Sequence, residues 1–275
     1  MFEFWIDQFV QLIKSDALRI ALIALLIVGL SSLESVAPAQ HGQTVMGRLR
    51  NIGYTAFFFV LGTAGVAGIA MFVHFEPSVI SVAGWGVVVA LMTGLFLSDL
   101  LFYWYHRAQH TFGWLWPLHE LHHSDAQLNV TTSMRSYWLE YPIQVLIIAL
   151  PVQIFVGVSM ETLIWSMLLT TSWLYFTHTN LPLRLGLLTP VVCGPQVHRI
   201  HHSIESKHQN KNFAQFFPFI DLLFGTYYPP GTDEFPATGT PSLASNASYV
   251  TTLVRPFRLW LKIEQRPPSQ GRSRL

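Results

Sequence analysis

Apolar positions in this chain fall in long unbroken blocks instead of alternating with polar ones. The blocks lie at about residues 18–37, 52–74, 79–105, 142–158 and 161–177, and each reaches or approaches the roughly 20 residues a helix needs to cross a bilayer. Strands are excluded there, because period-two alternation is missing and lipid does not tolerate an unpaired sheet edge. The pattern predicts an all-α, multi-pass transmembrane helical bundle of about four to five spans, one membrane-embedded domain over residues 1–265. Residues 142–177 hold Glu161 as their only charge, and Gly157 to Met160 divides them; they read as two short spans or a hairpin dipping into the bilayer. Residues 266–275 read as a basic, unstructured tail. The first block competes with a signal peptide, since Ala37-Pro38-Ala39 resembles a small-residue cleavage site. The acids Glu3, Asp7 and Asp16 ahead of it and the late cut favour a retained helix.

Composition supports a membrane protein. Only 11% of the 275 residues are charged, under half of the usual share of about 25%, while 51% are apolar and the mean hydropathy is +0.38. A net charge of +1, with bases scattered until the C-terminal end, supplies no field for nucleic acid. The single cysteine, Cys193, excludes an internal disulfide, a Cys-rich zinc site and a Cys-ligated iron–sulfur cluster. Basic residues also suggest orientation. None lies around His74 to Ser78, whereas Arg48, Arg50, Arg107 and Arg135 flank the other ends, and ten of the sixteen follow Thr177. The histidine-rich segments and C-terminus are therefore expected in the cytoplasm.

Histidine is the anomaly: twelve are present, and nine lie between His106 and His202. His106 and His110 form an H-x3-H. His119-Glu120-Leu121-His122-His123 and His198-Arg199-Ile200-His201-His202 are both H-x2-H-H. Helical spacing of three and four residues presents each set to one side. One H-x2-H-H is expected by chance roughly 0.02 times in a chain of this composition, and two only a few times in ten thousand. An isolated histidine is ordinarily a hydrogen-bonded core residue, but that reading fails for the set. Eight histidines exceed the three or four that hold one zinc ion, so two metals are implied. His178, at the end of the last apolar block, reaches the same side as a ninth ligand. Asp99 lies seven residues before His106 and is expected to accept a histidine N–H and orient that ring. His208 and Asn212 are candidates to complete or support the site; His41 and His74 read as interfacial.

The order H-x3-H, H-x2-H-H, H-x2-H-H after paired apolar blocks resembles the fatty acid hydroxylase and sterol desaturase superfamily of membrane di-iron oxygenases. The likeness runs from about Asp99 to Tyr227 and includes Tyr105-His106-Arg107, Leu118 to Ser124, His178 with Asn180, Pro195 with His198 to Ser203, Asn210 to Phe213, and Asp221 to Thr226. It implies an α-helical fold whose cytoplasmic cap holds a histidine-ligated pair of irons above a tunnel opening from the lipid. It also implies Glu120, Arg135 and Asn180 as supporting groups, with nothing catalytic beyond the metal centre. The family usually carries a histidine and a proline between the arginine and glutamate of its Arg135–Glu140 segment, where this chain has Tyr137 and Trp138. That departure bears on substrate shape more than on metal binding. No segment resembles a fused cytochrome b5 domain or a dinucleotide fingerprint, so electrons are expected from a separate protein of ferredoxin or cytochrome b5 type.

Neutral imidazoles leave bound metals strongly cationic and suited to O2 once reduced, and apolar surroundings keep water out. A lipid C–H bond offers no acid–base handle and calls for metal–oxygen chemistry. Hydroxylation or desaturation of a sterol, fatty acyl chain or other membrane lipid is the expected reaction, in a bacterial inner membrane, with iron working and zinc able to substitute. Trp104, Trp114, Trp116, Trp138 and Trp173 are candidates to line the tunnel. The rival reading is a membrane zinc metalloprotease, because His119-Glu120-Leu121-His122-His123 also spells H-E-x-x-H with Glu120 as base. It leaves six histidines unused, and Arg199 stands where the parallel box needs a glutamate. A metal transporter or haem protein would place its ligands deeper within the spans.

Overall fold

The computed structural model describes residues 2–72, 86–156 and 160–264. Ten α-helices organise them: α1 (Phe2–Val36), α2 (Val45–Ala70), α3 (Gly86–Thr111), α4 (Trp116–His123), α5 (Glu140–Gln144), α6 (Leu150–Val156), α7 (Met160–Thr177), α8 (Pro195–His201), α9 (Phe219–Leu223) and α10 (Tyr249–Trp260). No strand forms among the described residues, where the one β contact is an isolated bridge between Ser203 and Thr238.

The apolar blocks become helices with shifted ends. The block at 52–74 starts seven residues early, at Val45, because Thr44 caps the helix by accepting the Gly47 N–H at 3.0 Å. The block at 79–105 runs on to Thr111, so His106 and His110 ride on the last turns of α3 itself. α1 covers the 18–37 block as part of a 35-residue helix. The candidate cleavage segment beyond it is tied into the fold, with Ala39 N–H donating to the Asn180 carbonyl at 2.8 Å. The 142–158 block is α5 and α6 joined by one π turn at Val145–Ala149. The dividing residues 157–159, the loop at His74–Ser78 and the tail 266–275 lie outside the described residues.

Among the described residues two helices are long and apolar enough to cross a membrane, Val45–Ile69 in α2 and Val88–Thr111 in α3. They are not core helices of a soluble globule: Phe59, Val60, Val88 and Val89 are all more than half exposed. α3 packs on α7, α1 on α7, α2 on α5, α7 on α8 and α10 on α4. One apolar core joins Tyr54 and Phe58 of α2 to Leu118 and Leu121 of α4 and Tyr137; a second joins Tyr103 of α3 to Phe213 and Ile220. The cap over the helix ends is unusually polar inside. Glu34, at the end of α1, illustrates how it is knitted: its buried carboxylate accepts from Arg48, the Val130 N–H and the Asn180 N–H, each at 2.7 Å.

Candidate metal centre

Four helix ends converge on the histidines. α3 brings His106 and His110, α4 brings His119, His122 and His123, and α8 brings His198, His201 and its capping His202. His178 directly follows α7. α4 and α8 are short helices with proline in the first turn, Pro117 and Pro195, where the missing N–H costs nothing and the fixed φ starts the helix.

The nine imidazoles divide into two groups. His106, His110, His119, His123 and His201 form one; His122, His178, His198 and His202 form the other, and within each group the nearest ring nitrogens all lie within 4.8 Å of one another. The groups touch, with the His123 and His202 rings stacked at 4.3 Å. Helical spacing explains the division. Each H-x2-H-H box gives its i,i+4 pair to one group and its remaining histidine to the other: His119 and His123 face the first group and His122 the second, while His198 and His202 face the second and His201 the first.

Hydrogen bonding shows why these rings suit cations. A carbonyl only accepts, so His106 Nδ1–H donates to Phe213 O (2.8 Å), His178 Nδ1–H to Leu174 O (2.7 Å) and His201 Nδ1–H to Lys211 O (2.9 Å). His119 Nδ1–H points at Glu140 Oε1, 3.3 Å away. With Nδ1 so engaged, Nε2 is the atom of each of these four rings that can offer a lone pair to a metal. Yet His106 and His119 Nε2 approach to 2.9 Å, His198 and His178 Nε2 to 2.9 Å, and His201 and His123 Nε2 to 3.1 Å. Facing lone pairs repel, as between His106 and His119, and a shared cation reconciles them. His110 Nε2, His122 Nδ1 and His202 Nδ1 are buried with no protein partner. Burial first, and neighbouring imidazoles second, push His122, His123, His198 and His202 far below the ordinary histidine range. Burial holds His178 at about 4 and His201 at about 3 despite the carbonyls that oppose it. These six rings are neutral at physiological pH, the form that binds metal. An all-imidazole donor set fits a first-row transition metal such as iron or zinc, and each group has enough donors for one ion.

The supporting residues act differently from expectation. Asp99 touches no histidine: its carboxylate accepts the backbone N–H groups of Gln215, Phe216 and Phe217 at 2.7, 3.0 and 2.7 Å. It holds the loop whose Phe213 carbonyl then orients His106, so its effect on the ring is one step removed. Glu140 is the carboxylate that meets a ligand candidate directly, and sequence reasoning did not assign it that role. The signal was available, since Glu140 is a lone acid at the head of an apolar block. Glu120 is bound by Arg255 of α10 at 2.5 and 3.1 Å, which leaves it unfit as the base of a protease. Arg135 bonds Asn51 (3.0 Å) and Ser124 and lies over the Tyr54 ring, bracing α4 from behind. Asn180 Oδ1 accepts from Arg199 at 2.5 Å. His208 lies between Ser203 Oγ (2.8 Å) and Glu234 (3.0 Å), and Asn212 bonds the Tyr228 backbone, so neither joins the cluster. Among the five tryptophans only Trp116 meets cluster histidines, edge-on to His110 at 5.1 Å and tilted against His123 at 5.5 Å. Trp104 and Trp114 are exposed, and His41 is a surface residue.

Residues 91–226, the span that holds every one of these histidines, match the model of the fatty acid hydroxylase family. The chain is 25% identical over 203 residues to an ornithine lipid hydroxylase of Rhizobium tropici, covering 74% of this chain and 59% of that protein. It is 33% identical over 139 residues to an alkylglycerol monooxygenase of Danio rerio, covering 48% and 29% respectively. A putative methylsterol monooxygenase of Dictyostelium discoideum is 27% identical over 151 residues, 51% of each chain. The chain thus spans about a third to three fifths of the length of these curated relatives. No solved structure gives a significant match. Three histidine boxes, their convergence on one cluster and the family match over the same residues identify residues 91–226 as a fatty acid hydroxylase domain of the fatty acid hydroxylase and sterol desaturase superfamily.

Proposed function

We propose that this chain is a multi-pass membrane monooxygenase in which two irons, held by the five-histidine and four-histidine groups, oxidise a C–H bond of a membrane lipid with O2. The observation that carries the reading is the set of nine imidazoles, seven buried and two half-buried, in two touching groups. When bound, the irons supply the O2 activation that no side chain here offers. The protein's own part is positional. Phe213 O, Leu174 O and Lys211 O hold the Nδ1 protons of His106, His178 and His201, so that each Nε2 faces the centre. Phe102 and Phe213 pack on His106, and Phe213 on His110, setting apolar rings beside the cluster that keep bulk water from it.

The substrate reading is an amphiphile with an apolar body and one polar end, the feature shared by the lipids named for the relatives. Hydroxylation is preferred to desaturation on family balance. The basic residues after Thr177 support a cytoplasmic cap in a bacterial inner membrane, where a separate ferredoxin or cytochrome b5-type protein delivers electrons. Lipids from cells grown under isotopically labelled O2, with the native chain and with a His201→Ala/His202→Ala variant, test the reaction. One labelled oxygen in a lipid made only by the native chain is the expected result. An unlabelled lipid lacking two hydrogens means desaturation, and an unchanged lipid profile refutes the proposal.

A further inference from the structure

α10 presents three faces. Thr252, Arg255, Pro256 and Leu259 are buried against the cap. Val250, Val254, Phe257 and the capping Leu261 follow at i, i+4, i+7 and i+11, all exposed. At about 100° per residue that apolar stripe lies roughly opposite the buried face. Thr251, Arg258 and Lys262, also exposed, flank the stripe along one side. A cap helix facing water would carry polar residues opposite its core face. This one is sandwiched between protein and something apolar.

The attachments of α10 identify the apolar medium. At its start, Tyr249 packs edge-on against Tyr54 (4.9 Å) and stacks on Phe57 (5.6 Å) of α2, a candidate span. Gly53 makes the approach possible, because a Cβ there would stand 2.0 Å from the Tyr249 hydroxyl. At its end, Trp260 Nε1–H donates to Trp114 O at 2.7 Å. Trp114 is in the short link after α3, the other candidate span, and both it and Phe112 expose their rings. α10 is thus tied at both ends beside span helices, and its apolar stripe continues the exposed apolar surfaces of α2 and of the α3–α4 link. We infer that α10 is an in-plane interfacial helix, with Val250, Val254, Phe257 and Leu261 sunk in the acyl boundary and Arg258 and Lys262 at anionic headgroups. Its buried face binds Glu120 through Arg255, which fixes the height of α4 and its histidines above the bilayer. This surface is independent of the oxygenase reading and requires only that α2 and α3 lie in a membrane.

Nitroxide labels on Val254→Cys, Phe257→Cys, Thr251→Cys and Arg258→Cys test the inference, with the buried Cys193 left in place. The full chain is reconstituted in nanodiscs of phosphatidylcholine with phosphatidylglycerol. Labels at 254 and 257 should collide with O2 and meet an aqueous nickel chelate several-fold less often than labels at 251 and 258. Raising the phosphatidylglycerol fraction should deepen the 257 label in the native background, and not with Arg258→Glu/Lys262→Glu. Equal nickel collision at all four positions means a solvated helix and overturns the inference. Shielding of 254 and 257 from both O2 and nickel means that protein, such as a second copy, covers the stripe, and overturns it as well. A lipid-independent depth refutes the headgroup contacts.

Discussion

Replacing Glu140 by glutamine should loosen metal binding without unfolding the protein. The buried carboxylate gathers four donors: Gln109 Nε2 at 2.7 Å and His119 Nδ1 at 3.3 Å on one oxygen, Tyr105 Oη at 3.0 Å and Gln144 Nε2 at 3.2 Å on the other. An amide keeps the shape. Turned so that its oxygen faces Gln109 and His119, it sets its NH2 against Tyr105 and Gln144, where the hydroxyl is able to rotate and the Gln144 amide to flip so that each accepts. What disappears is the negative charge that receives the His119 N–H and orients its ring. Losing such a partner costs about 10- to 100-fold in metal affinity. The His119 contact is longer than the usual N–H···O range of about 2.7–3.2 Å, so the low end applies, about tenfold or about 1.4 kcal/mol. Chelator competition on the solubilised full chain measures the affinity, and thermal unfolding of the metal-free protein measures the fold. Glu140→Gln that binds both metals with native affinity, while its metal-free form melts lower, would make Glu140 a structural residue only and refute the reasoning. Glu140→Ala is the poorer probe, since it opens a cavity and strands four buried donors at once.

Three further outcomes follow from the same geometry. His202→Ala and His122→Ala should weaken one metal, while His110→Ala and His123→Ala weaken the other; elemental analysis at limiting metal showing one shared loss, or a native stoichiometry of one, would contradict the two-group division. The metal-free protein should lose stability as pH falls below the unfolded histidine value of about 6.5 towards the native values near 4 for His178 and 3 for His201. The folded state there binds fewer protons than the unfolded one, so each group costs about 1.4 kcal/mol per pH unit, and melting temperatures flat between pH 7 and 5 would contradict it. Asp99→Asn should lower the melting temperature by the equivalent of about 1–3 kcal/mol, because three backbone donors lose a charged acceptor; melting at the native temperature would remove Asp99 from its role as loop holder.

The histidine boxes were legible because a helix converts spacings of three and four residues into one direction, whatever surrounds it. The partition into five and four was legible in principle from the same rule. His122 and His123 are neighbours in sequence but stand about 100° apart on α4, so they face different groups. Block ends were less legible. Hydropathy sees where apolar residues stop, whereas the helix of the third block continues through Tyr105-His106-Arg107 to Thr111, held by its own backbone bonds. Least legible were partners far apart in sequence, such as Arg255 with Glu120 or Glu34 with Val130 and Asn180. No periodicity encodes a contact across a hundred residues.

Asp99 shows why a polar residue in an apolar block was assigned the wrong partner. A carboxylate there needs donors, and histidine N–H groups seven residues away were the ones visible in sequence. Three-dimensionally the greater demand comes from the irregular loop at residues 213–217, packed against apolar α3, whose N–H groups belong to no helix and need acceptors of another kind. Asp99 serves the loop at 215–217 and Asp221 serves Phe213 and Ala214 at 2.7 and 2.9 Å. Asp125 does the same kind of work behind α4, accepting from Asn51 at 2.8 Å and Thr132 at 2.6 Å. With these acids committed to backbone, amide and hydroxyl donors, the carboxylate that reaches a ring nitrogen of either group is Glu140, at His119 Nδ1 and on the side away from the centre. The candidate centre is consequently built from imidazoles, six of which burial holds neutral at physiological pH, and an ion bound there would keep most of its positive charge. The same neutrality is what makes the metal-free centre sensitive to acid, since every proton taken up by one buried ring opposes its neighbours.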